Sequence, residues 1–236
     1  MMAAAVCALM TGVVTAVYAE ERLSVLSWNT EHYGWQRRSP AERTLLESNM
    51  FSVVRSARPD IFLMQETYGS FERFKAALPD YDARLLGRCN AIFSRFRIEK
   101  THEPYREKGN YGDPQGGAFN TQVVDLDAGC MRLRACPVAM FWLPLCIRTP
   151  ADKTPAELLS WESERQPYKA VPRPQAMAGI LAGMAPCIAE RDEVPILMAG
   201  DFNSHSHLDW TVATGDWCGH HGRTVAWQVS SQMAAA

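Results

Sequence analysis

Apolar residues recur along the chain at two spacings, and the switches between them divide it into strands and helices. The segment RLSVLSWNTEHYG puts Leu23, Val25 and Ser27 on one face and Leu26 and Trp28 on the other, which predicts a strand buried on both faces in a sheet interior. In SPAERTLLESNMFSVVRSARPD, Ser39 can cap a helix, Pro40 suits its first position and Glu42 completes an S-x-x-E capping box. Leu46, Met50, Val53 and Val54 follow at helical spacing until Pro59 stops the helix. DIFLMQETYGS predicts a second apolar strand, Ile61 to Met64, ending in Gln65-Glu66 and a turn. Short helix and strand signals follow in FERFKAAL and NAIFSRFRI, then a Gly- and Pro-rich loop over 103–117. A hairpin within AFNTQVVDLDAGCMRLRACPVAMFWL turns at Asp127-Ala128-Gly129. The region from Pro150 to Glu193 reads as Pro-interrupted helical segments, and the apolar run Ile196 to Ala199 breaks at Gly200. This order of elements implies α/β layers with mixed sheets.

Composition adds limits. The 236 residues suffice for one domain with a sizeable core, and a net charge of -2 argues against broad, non-specific adhesion to nucleic acid. No charged side chain occurs from Met1 to Ala19, and Val17 and Ala19 fit a signal-peptidase site. Residues 1–19 are therefore read as a signal peptide, giving a secreted or periplasmic protein, with an uncleaved membrane anchor as the alternative. The domain proper is then 20–236. Cleavage removes Cys7 and leaves Cys89, Cys130, Cys136, Cys146, Cys187 and Cys218, open to disulfide pairing or to burial as free thiols.

Three apolar strands end in polar groups: Trp28-Asn29-Thr30-Glu31, Gln65-Glu66-Thr67 and Gly200-Asp201-Phe202-Asn203. Each alone is ordinary turn chemistry with a surface carboxylate. Together, in this order, they resemble the endonuclease/exonuclease/phosphatase superfamily, with a strand ending in Asn, a strand ending in Gln-Glu, and GD-x-N. SHSHLDWT and NAIFSRFRI are also similar to motifs of that superfamily. The resemblance covers roughly residues 23 to 233. It implies a two-sheet α/β sandwich of mixed strands flanked by helices, and a metal-dependent hydrolase of phosphate esters, of nuclease or phosphatase type. Glu66 is then the ligand for Mg²⁺, or Mn²⁺, because a hard cation takes oxygen donors. Asp201 orients or deprotonates the attacking water, and Asn203 and Asn29 offer amide groups without adding charge. His207 matches the superfamily pattern and, with His32, is a candidate cleft residue. The implied substrates are nucleic acids, phospholipids or inositol phosphates.

The chain departs from the pattern at two places. Trp142, in AMFWLP, falls where the superfamily carries a His, and no late Asp or Ser-Asp-His strand precedes the end in WQVSSQMAAA. The closing C-terminal strands are therefore expected to be missing, the chain truncated or divergent, and turnover weak or absent. The alternative is a phosphate-binding or interaction module without catalysis on the same fold, and a third reading is a disulfide-stapled structural protein. His205-x-His207 and His220-His221 admit a zinc site, but His-x-His on a loop and adjacent His-His are more often solvated turn residues, and that reading is preferred.

Overall fold

The computed structural model describes residues 23–30, 39–87, 89–102, 122–128, 131–140, 149–164, 172–217 and 219–236. The signal segment 1–19, His32, the loop at 103–117, Trp142 and Cys130, Cys146 and Cys218 lie outside the described residues. Two four-stranded sheets carry the fold. The first has the order β1-β2-β4-β3, formed by β1 Val25–Asn29, β2 Ile61–Gln65, β3 Asp82–Leu86 and β4 Asn90–Ser94. The second has the order β5-β6-β7-β8, formed by β5 Arg97–Thr101, β6 Val124–Asp127, β7 Arg132–Ala139 and β8 Ile196–Asp201. Each sheet is mixed: β1 runs parallel to β2 and β7 parallel to β8, and the remaining pairs are antiparallel.

Alternation along the strands sorts side chains into three cores. Ile61, Leu63, Ile92, Leu126, Leu133 and Ala135 meet between the sheets. Phe62, Met64 and Phe93, one residue out of phase, face the helices α1, Pro40–Ala57, and α2, Phe71–Ala77. On the far side, Cys136, Val138 and Met140 pack against α4, Arg173–Ala189, and α5, Gln228–Ala235. The result is a four-layer α/β/β/α sandwich, as the resemblance implied. The remaining helix, α3, Pro155–Glu162, packs Leu158 into a smaller cluster with Trp210, Val225 and Trp227.

Several local readings hold and some do not. The α1 capping box forms: the Ser39 side chain accepts from the Glu42 amide while the Glu42 carboxylate accepts from the Ser39 amide, and the helix stops at Arg58 in the left-handed region. Val53, expected on the buried face, is exposed. The first strand is not a sheet-interior strand. It lies at the edge of the first sheet, paired with β2 on one side, and Leu23 is 41% and Val25 38% exposed. Gly200 lies inside β8 rather than breaking it. Cys89, Cys136 and Cys187 are buried free thiols, so the disulfide reading does not apply to them.

Candidate active site

Parallel pairing brings strand ends together. Asn29 is in register with Gln65 across β1 and β2, so Glu66 follows at the same end of the first sheet. In the second sheet Asp201 closes β8 opposite Ala139 of β7. The two ends meet across the sandwich: the Asn29 side-chain amide donates to Glu66 Oε1 at 3.2 Å and to Asp201 Oδ2 at 2.8 Å. One neutral donor therefore bridges a carboxylate from each sheet.

The loop after β8 completes the arrangement. Asp201 Oδ1 accepts from the Asn203 backbone amide at 2.9 Å, an Asx turn that fixes the carboxylate from its own chain. Asn203 Nδ2 donates to the Met140 carbonyl at 2.7 Å, and the Met140 amide donates to the Asp201 carbonyl at 2.8 Å. The end of β7 thus anchors the GD-x-N turn from both sides. Two of the site residues hold left-handed backbone, Glu66 at φ 58° and Asn203 at φ 46°. Asn adopts this region readily and Glu does not; such positions cost about 1–3 kcal/mol and gather at functional sites. The site residues are half-buried and their polar neighbours buried: Thr30 Oγ1 donates to the Gln65 carbonyl at 3.0 Å, and Gln65 Nε2 to the Leu63 carbonyl at 3.1 Å.

Asn29, Glu66, Asp201 and Asn203 are thus brought together although as many as 174 positions separate them. His207 takes a different place. Its ring Nδ1 lies 2.9 Å from Ser230 Oγ, which commits it to α5. His205 and His220 serve aromatic packing. The His220 ring stacks on Trp210 at 4.1 Å, and the His205 ring lies 4.8 Å from Trp227 and 5.4 Å from Trp210. Among the described residues no group of three or more His, Cys, Asp and Glu is placed to hold a metal, and His205, His207 and His220 are engaged in the packing and hydrogen bonding just described.

Two residues at the site escaped the reading of the sequence. The buried Arg173 donates through Nη1 to the Asn203 carbonyl at 2.6 Å, and the buried Glu162 accepts from Ser204 Oγ at 2.5 Å. A signal for both existed. Arg173 opens a helix and Glu162 ends one, each at the end where the helix dipole disfavours its charge.

A four-layer sandwich with carboxylates and amides converging at the shared end of its sheets defines a site class, and comparison assigns the family. Residues 26–230 match the model of the Endonuclease/Exonuclease/phosphatase family, and the chain belongs to that family. No curated protein sequence matches it. Among solved structures it is similar to truncated Caenorhabditis elegans TDP2, at 17% identity and a TM-score of 0.54 over 77% of this chain and 62% of that one. It is similar to D. rerio TDP2 complexed with single strand DNA product, at 13% identity and a TM-score of 0.51 over 79% of this chain and 63% of that one. It is also similar to the human Nocturnin catalytic domain with bound sulfate anion, at 15% identity and a TM-score of 0.52 over 77% and 64%. The likeness concerns the fold, and the chain spans less than two thirds of the length of each of these structures.

Proposed function

We propose that the chain is a phosphoester hydrolase that works with a divalent cation, Mg²⁺ or Mn²⁺, on a phosphate ester drawn from nucleic acids, lipids or inositol phosphates. The observation that carries this reading is the Asn29 amide shared by Glu66 and Asp201. Two carboxylates from different sheets converge on one neutral donor, a donor set that fits a hard cation. Mg²⁺ takes one or two carboxylates and leaves its other positions to water and substrate phosphate, so a larger protein cage is not required. Glu66 would hold the cation, which when bound neutralises charge on the phosphoryl oxygens and the leaving group.

The chain's own groups do the rest. Asp201 is held at both oxygens, by the Asn203 backbone amide and the Asn29 side chain, so its orientation is set before substrate arrives. From there it orients a water and accepts its proton at a carboxylate oxygen. Asn29 holds the two carboxylates in place, since both its amide N–H groups are given to Glu66 and Asp201, and the Asn203 side-chain amide would meet a phosphoryl oxygen, stabilising negative charge without adding any. The single strand DNA product in the D. rerio TDP2 structure and the sulfate in the Nocturnin structure support a phosphate-like ligand on this fold. Turnover is expected to be slow, since Trp142 stands where the superfamily carries a His that would assist proton transfer.

The test is hydrolysis of bis(p-nitrophenyl) phosphate by the full chain with Mg²⁺, with Mn²⁺ and with chelator. The expected result is slow, chelator-sensitive turnover that Asp201→Ala lowers by about 10²-fold or more. Turnover that ignores the chelator, or that survives Asp201→Ala, overturns the reading. Phosphate binding with no turnover favours the binding module instead.

A further inference from the structure

Behind the Asp201 loop lie two buried charges that oppose the dipoles of their own helices. Glu162, 0% exposed, is the last residue of α3, where the carbonyl end disfavours a carboxylate. Arg173, 4% exposed, is the first residue of α4, where the amide end disfavours a guanidinium. Buried ions persist only where hydrogen bonds replace the lost water.

Their partners supply those bonds from neighbouring elements. Glu162 Oε2 accepts from the Gln228 amide at 2.6 Å and Oε1 from the Val229 amide at 3.1 Å, so the carboxylate sits on the first turn of α5, whose amides lack partners within the helix. Arg173 Nη2 donates to the Trp161 carbonyl at 3.4 Å, in the last turn of α3. Each charge exchanges the wrong end of its own helix for the right end of another. Each then spends a further bond on the site loop: Glu162 on Ser204 Oγ at 2.5 Å, Arg173 on the Asn203 carbonyl at 2.6 Å. Ser230 of α5 grips the same loop further on, accepting from the His207 amide at 2.7 Å. Asn203 and Ser204 follow Asp201 within three positions, and the Asn203 amide is the one that fixes the Asp201 carboxylate in its turn.

We propose that Glu162 and Arg173 are positioning residues, a buried pair of opposite charges that clamps Asn203 and Ser204 and so presets Asp201 and Asn203 for phosphate chemistry. The clamp rests on the hydrogen bonds alone, and its catalytic consequence rests on the phosphoesterase reading. Misplacing a catalytic group by about 1 Å can cost about 10²-fold in rate, so loosening the clamp acts on turnover more than on substrate binding.

The test compares the full chain with Glu162→Gln, Arg173→Lys and Ser204→Ala by amide hydrogen exchange and by steady-state phosphodiester hydrolysis at high enzyme concentration. Glu162→Gln keeps the side-chain volume and removes the charge. It should speed exchange across residues 202–206 and lower kcat by about tenfold or more with KM within about twofold. Ser204→Ala, which removes one bond and no charge, should move both readouts the same way and less, and it decides the matter if Glu162→Gln fails to fold. Met184→Ala, in the core between α4 and the second sheet, serves as a matched loss of stability and should leave kcat unchanged. Unchanged exchange at 202–206 in the clamp variants overturns the clamp. Faster exchange with wild-type kcat, or an equal loss of kcat in Met184→Ala, overturns the positioning role. An inactive wild type sinks the phosphoesterase reading and leaves exchange to decide whether the clamp exists.

Discussion

Gly200 shows at the residue scale why the motif begins where it does. A Cβ at this position would lie 1.9 Å from the Val138 carbonyl oxygen, inside the backbone of β7, so only glycine lets β8 run close enough for Asp201 to reach the first sheet. Gly200→Ala should force β7 and β8 apart, lower stability by about 1–3 kcal/mol or more and shift Asp201 off Asn29. A thermal melt beside the activity assay checks this, and a variant with wild-type Tm would show that the strands tolerate the shift. Asn29, Glu66, Asp201 and Asn203 were legible because each follows an apolar run, and a strand end is where a side chain can leave the core. Glu162 and Arg173 were not legible in the same way. Their partners on the site loop lie 42 and 30 residues away, and only the mismatch between charge and helix end marks them.

Elements with their own local grammar were readable, and those defined by neighbours were not. The Ser39–Glu42 box on α1 forms as read, and α3 repeats it with Thr154 and Glu157, whose carboxyl is held down at about 2 by the Thr154 backbone and side chain and by Lys153. By contrast β3, DARLL, has an irregular burial pattern and owes its strand to pairing with β4. The edge position of β1 is likewise a property of the sheet, since apolar alternation says which faces pack and not what pairs alongside. The loop carrying His205 yields a prediction at this scale. Burial among Trp210 and Trp227 pushes the His205 imidazole below its usual value, and His220 and Arg173 push in the same direction. Its Nε2 is buried without a hydrogen-bond partner. The unfolded chain then takes up a proton near pH 6.5 that the folded chain refuses, so this contribution is intact above about pH 6.5 and is lost as the pH falls below it. Urea midpoints at pH 7.5 and 5.5 should show the fall, and His205→Phe should remove part of it. A variant with the wild-type pH dependence would show that His205 is not its source.

At the scale of the whole molecule, the site is also a joint between the sheets. Glu66 belongs to the end of the first and Asp201 to the end of the second, and Asn29 bridges the two carboxylates. Like charges brought together in a partly buried place favour separation of the layers that carry them, and a cation between them reverses the sign. The unfolded chain scatters Glu66 and Asp201 and offers no such cluster, so a cation that binds there binds the native state and stabilises it by mass action. At a concentration about 100 times its Kd the gain is about 2.7 kcal/mol. For a chain of this size that corresponds to a rise in Tm of about 5–10 °C. Millimolar Mg²⁺ or Mn²⁺ should therefore raise Tm, chelator should reverse the rise, and Glu66→Gln should abolish it while the metal-free Tm stays equal or climbs through relief of the repulsion. This melt needs no substrate and no turnover, so it separates metal binding from catalysis. A Tm that is indifferent to both cations at saturating concentration, or a shift that persists undiminished in Glu66→Gln, would place any metal elsewhere and leave the joint to hydrogen bonds alone.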